Sequence, residues 1–137
     1  MSSVQINRIG LTYGQTFLLI GLGAALWFCA AIILSVIAPM GALEGSMRAV
    51  TYALVIPGTV PFIFLVRKLA KLRPDQLFTG IGIATTTALI TDGIVIAYFP
   101  SVYGSTLPHI TNCAAIILWG AGVGMLLASI FNRGAEK

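Results

Sequence analysis

Four long apolar stretches, separated by short polar or turn-forming segments, organise this chain. No Asp, Glu, Lys or Arg lies between Arg8 and Glu44, between Arg48 and Arg67, between Asp75 and Asp92, or between Asp92 and Arg133. A hydrocarbon core about 30 Å thick is crossed by roughly 20 helical residues rising about 1.5 Å each, and four such stretches fill the chain with little left over. Runs this long without period-2 alternation are helices. Only helices or closed barrels satisfy their backbone groups in lipid, so the pattern predicts an all-α integral membrane protein, an up-down four-helix bundle forming one domain.

The breaks set the boundaries. The first span reads from Tyr13 to Ala38 and stops at Pro39, because proline disfavours a helical residue before it and cannot continue the ladder. After a turn with Gly41, Gly45 and Ser46, the second span runs from Met47 to Val66 and ends at the basic cluster Arg67, Lys68, Lys71 and Arg73. Pro74 suits the first turn of a third span reaching Phe99. Pro100, Ser101, Gly104, Ser105 and Pro108 form a turn-rich connector, and the fourth span covers Ile110 to Phe131.

Composition agrees: the 137 residues are 58% hydrophobic and 9% charged, where soluble domains carry about 25% charged residues. The net charge of +4 does not point to nucleic acid, because the basic residues flank apolar stretches, where they meet the headgroups of membrane lipids. Arg8, Arg67, Lys68, Lys71, Arg73, Arg133 and Lys137 fall on one side of the four spans, and only Arg48 on the other. The positive-inside rule therefore predicts a multi-pass protein of the bacterial cytoplasmic membrane with both termini cytoplasmic. Tyr52, Tyr98, Phe99 and Tyr103 then belong to an outer aromatic belt, and Tyr13, Phe17, Phe78 and Phe131 to an inner one. The apolar run from Leu11 to Ala38 is too long for the h-region of a signal peptide and reads as a span.

Asp92 is the most informative residue, since an acid within a membrane helix must face protein or water. Counting back from Phe99 puts it about 10 Å inside the outer end. Thr85, Ala88 and Asp92 share a helical face, and Thr87 and Thr91 line a neighbouring stripe, making a polar strip that is the candidate site. A proton-exchanging or cation-binding carboxylate is one reading. The plainer one is a structural pin, with Asp92 paired to Arg48 or accepting bonds from threonine and tyrosine hydroxyls.

Other features have simple accounts. Pro57 and Pro61 sit one turn apart on one face of the second span and free the carbonyls of Ala53 and Pro57; a packing kink explains them, with cation coordination the alternative. Gly120 and Gly124 have the spacing that lets helix backbones approach, and Gly21 with Ala25 offers a similar surface; an internal contact is the favoured use, an oligomer the other. His109 is the only histidine, which excludes a bis-histidine haem within one chain, and Glu44 is placed to pair with Arg48 four residues on. Topology alone explains Arg67, Lys68, Lys71 and Arg73, with anionic lipid the minor alternative. Cys29 and Cys113 lack CxxC spacing and read as apolar fillers, and neither a metal nor a cofactor is expected. No internal repeat marks an inverted-repeat transporter.

Taken in order, GLGAALWFCAAI, IPGTVPFIFLV, RKLAKLRPDQ, ALITDGIVIAYFPSVYG and AAIILWGAG resemble an uncharacterised family of small bacterial four-span membrane proteins, one of the domain-of-unknown-function families. The resemblance spans nearly the whole chain and implies the fold; it brings no activity. Small multidrug exporters place an essential glutamate in the first helix, and this first helix has no acid. Fluoride channels have a threonine-rich third helix somewhat like ATTTALIT, but their amino-terminal glycine and arginine-tyrosine pattern is missing.

Two functions follow as expectations. The first is a non-catalytic accessory module that packs with a larger membrane complex or with itself as a homo-oligomer, assisting assembly or stability. The second is a small proton- or cation-coupled transporter or channel built on Asp92 and the threonines of the third helix. An enzyme is not expected, because no CxxC, histidine pair, carboxylate pair or serine with a nearby base occurs. Surroundings of Asp92 decide between the two: a cavity with water favours transport, a dry salt bridge the module.

Overall fold

The computed structural model describes residues 6–134. Four α-helices, α1 (Tyr13–Ile37), α2 (Gly45–Leu69), α3 (Leu77–Tyr98) and α4 (Leu107–Phe131), are joined by short connectors, two of which contain single 3-10 turns at Pro74–Gln76 and Pro100–Val102. All four are long and apolar enough to cross a membrane, and none of the described residues forms a strand. Lys137 lies outside the described residues.

Local chemistry explains where each helix begins and ends. Thr12 caps α1 by accepting the Gln15 amide at 3.0 Å while the Gln15 side chain accepts the Thr12 amide at 3.1 Å, a reciprocal capping box. The second helix starts at Gly45 and runs through Arg67 and Lys68 to Leu69, longer at both ends than the apolar run, since basic side chains suit the negative end of a helix. Its terminus closes with Leu72 N–H on Arg67 C=O at 2.9 Å, which puts Lys71 at φ 51°, a left-handed position usually given to glycine. The fourth helix begins three residues before Ile110 because Thr106 caps it and Pro108 occupies its first turn.

The order around the bundle is α1, α3, α4, α2: α1 packs along α3, α3 along α4 and α4 along α2, whereas the consecutive helices α1 and α2 scarcely touch. Gly23 meets Ala84 and, further along both helices, Trp27 meets Asp92, so α1 and α3 run parallel. Gly120 faces Val55 and Gly124 faces Thr59, so α2 and α4 also run parallel. A Cβ on Gly23 would lie 2.5 Å from the Ala84 carbonyl oxygen, so this glycine, not Gly21 or Ala25, brings α1 against α3. Gly21 and Ala25 are exposed, one turn-offset away from the buried stripe of Leu19, Gly23 and Ala31, which corrects the surface expected from spacing alone. Gly120 and Gly124 make the expected internal contact.

Two buried clusters close the ends. At the end bearing the basic α2–α3 connector, Leu11, Leu19, Ile63, Val66, Leu72, Leu77 and Ala128 pack together. At the opposite end Ala31, Leu34, Leu43, Tyr103, Cys113 and Ile116 do so. Large apolar side chains cover the outside, with Phe17 72%, Leu118 69% and Ile130 64% exposed, the pattern of a surface suited to lipid.

Candidate functional site

Asp92 lies on the inward face of α3, one turn and a half from its end, and is 8% exposed. Trp27 of α1 donates its indole N–H to Asp92 Oδ1 at 2.9 Å, and the Tyr103 hydroxyl donates to the same oxygen. The indole also reaches the Tyr103 oxygen at 3.0 Å, so the three side chains form one closed triangle. Both donors are neutral.

The second oxygen, Oδ2, receives no hydrogen bond from the described residues. Yet no sealed side-chain N or O atom lacks a partner among them, so Oδ2 is open, not entombed. Asp92 and Trp27 both line a cavity of about 370 Å³ in the bundle interior, walled by residues from all four helices. Its walls are mostly apolar, with Leu34, Val55, Ile63, Ile81 and Ile116 among them, and Thr51, Thr59 and Thr85 add hydroxyl-bearing side chains. Among the described residues, Asp92 is the only charged one on the wall.

The mouth follows from exposure. Every lining residue contributed by α3 and α4 is buried or half-buried, and the exposed ones, Cys29, Ala30, Ile33 and Phe62, all come from α1 and α2. The cavity therefore opens between the two helices that do not pack together.

Arg48 does not pair with Asp92. Its guanidinium donates to the Leu43 carbonyl at 2.9 Å and to Asn112 Oδ1 at 3.2 Å, holding the start of α2 against α4. Glu44 likewise departs from the expected i, i+4 pair: its carboxylate faces His109 Nε2 at 3.5 Å, because Arg48 is already bound to the backbone. Asp92 thus has a tyrosine hydroxyl, one of the anticipated partners, and an indole that was not anticipated.

The threonines divide. Thr85 lines the cavity two turns from Asp92 on the same face. Thr87 and Thr91 do not join it: their hydroxyls bond back to the carbonyls of Ile83 at 3.0 Å and Thr87 at 2.8 Å, the usual resort of threonine inside a helix. Pro57 and Pro61 are exposed on the outer face of α2 and off the cavity wall, so they supply no carbonyl to the site.

Trp27 and Tyr103 were missed for opposite reasons. Tyr103 stands in a connector whose composition suggests an exposed aromatic belt, but the turn at Pro100–Val102 folds it inward to 1% exposure. Tyr103 lies outside the four helices, and burial first, then the Asp92 hydrogen bond, raises its phenol above the ordinary tyrosine value, keeping it a donor. Trp27 carried a signal. A mid-helix indole needs an acceptor, and the only acid within the four helices is Asp92.

Among the basic cluster, Arg67 and Lys68 end α2, Lys71 makes the left-handed turn, and Arg73 pairs with Asp75 at 3.1 Å at the surface. No three His, Cys, Asp or Glu side chains among the described residues gather as a metal site would require. Comparison of the chain with family models, curated proteins and solved structures finds no match.

Proposed function

We propose that this chain is a small multi-pass protein of the bacterial cytoplasmic membrane, with both ends on the cytoplasmic side, whose bundle interior takes a ligand from the bilayer and exchanges it for a proton at Asp92. A carboxylate held among apolar walls is costly unless neutralised by a proton or a cation. Asp92 has no cation beside it among the described residues, lines a cavity, and keeps one oxygen without a hydrogen bond. That observation carries the reading. Trp27 and Tyr103 fix Oδ1 with two neutral hydrogen bonds, so exchange takes place at Oδ2 while the carboxyl group keeps its orientation.

A hydrophobic carbodiimide tests it, since the reagent reaches protonated carboxyl groups from within lipid. With the protein in bilayers, modification is expected at Asp92 and is lost in Asp92→Asn. An intact fold with Asp92 unmodified contradicts the reading.

The second reading, an accessory subunit packing with a larger membrane complex or with itself, is supported by the slot left between α1 and α2. A partner helix seated there would cover the mouth. Purification in mild detergent separates the two: one stoichiometric protein partner, and loss of carbodiimide modification in its presence, favour the accessory subunit.

A further inference from the structure

The geometry points to an amphiphilic monocation as the ligand: an ammonium or phosphonium centre on a bulky apolar body, entering between α1 and α2 and resting its charge at Asp92. This rests on the reading of Asp92 as an exchanging carboxylate. It adds the chemistry of what is exchanged.

Each property of the cavity selects one property of the occupant. Its volume, about 370 Å³, lies within the range that holds small organic ligands and far exceeds what a bare ion needs. The mostly apolar walls favour an apolar body, because a sugar or nucleotide would leave most of its polar groups unpaired against them. Among the described residues one acid and no basic residue line the wall, so a single positive charge is neutralised, an anion is repelled and a dication keeps an uncompensated charge. A small divalent metal would need several oxygen ligands, and Asp92 offers one free oxygen. Trp27, tied to Asp92 at 2.9 Å and itself on the wall, puts an aromatic ring beside the place where the positive charge would settle. The mouth opens sideways, between α1 and α2, past Ile33 and Phe62. A molecule that partitions into lipid reaches it without crossing a polar entrance.

Tetraphenylphosphonium and tetraphenylborate share a shape and differ in the sign of their charge, so together they separate charge recognition from mere apolar uptake. Titrated into the purified full chain in mild detergent, with Trp119→Phe leaving Trp27 as the fluorescent reporter, the phosphonium is expected to bind saturably and the borate not to saturate. Asp92→Asn, which keeps the size and the acceptor oxygen, should weaken phosphonium binding by about tenfold or more. Ile33→Trp, at the mouth and away from the triangle, should weaken it too, and serves if the Asp92 variant does not fold. Equal affinity for the two probes, or phosphonium binding unchanged in both variants, overturns the proposal. Carbodiimide modification of Asp92 without saturable phosphonium binding overturns the ligand class alone and leaves the exchanging carboxylate standing. Absence of both overturns the two together.

Discussion

The hydroxyl of Tyr103 donates to the carboxylate of Asp92, eleven residues earlier in the chain, and so anchors the α3–α4 connector inside the bundle. A buried hydrogen bond to a carboxyl group neutralised by a proton contributes about 0.5–1.5 kcal/mol. Tyr103→Phe keeps the ring and deletes the donor, so it is expected to lower unfolding stability in detergent by about that amount. In Asp92→Leu the same Tyr103→Phe change should cost clearly less, because the acceptor is gone; an equal cost in both backgrounds would show that the triangle is not a unit.

The approach of α1 to α3 depends on Gly23, where a Cβ would sit 2.5 Å from the Ala84 carbonyl oxygen. Backbone is in the way, not a flexible side-chain tip. Gly23→Ala should therefore destabilise by about 1–3 kcal/mol. Gly21→Ala, where nothing lies within 4 Å, should hold or raise the melting temperature, since alanine exceeds glycine in a helix interior by about 1 kcal/mol. The reverse ranking in a thermal melt would place the α1–α3 contact wrongly.

Most of the architecture was legible from the charge gaps, because hydrocarbon tolerates so few ways of crossing it. Asp92 was legible for the same reason: one acid in an apolar helix must face inward. Its partners were not. Arg48 stands on the expected side, but five residues back the Leu43 carbonyl offers it a bond at 2.9 Å, and Asn112 a second. Tyr103 looked like belt material until the turn after Pro100 carried it inward. Spacing likewise found the packing of Gly120 and Gly124 but chose the wrong face of α1, since Gly21, Gly23 and Ala25 are all small and only tertiary contact distinguishes them. The cavity itself has no sequence signature; it exists because α1 packs on α3 and leaves α2 alone.

Arg48 and Asp92 belong to separate hydrogen-bond groups. Arg48→Gln is expected to leave carbodiimide modification of Asp92 and phosphonium affinity within about twofold of wild type, the scale of a change that touches no shared partner. A loss comparable to that of Asp92→Asn would mean the two side chains are coupled.

Lys71 holds a left-handed backbone conformation at the end of α2, with φ 51°. Lys71→Gly relieves that conformation and should raise stability by about 1 kcal/mol in a thermal melt. No gain would mean that the contacts of the Lys71 side chain offset the backbone cost.

The exchange at Asp92 is most directly read as proton release. When tetraphenylphosphonium is added to the protein in weakly buffered detergent solution, about one proton should leave for each cation bound, and none from Asp92→Asn. Cation binding to wild type with no proton released, or equal release from the variant, would contradict exchange at this carboxylate.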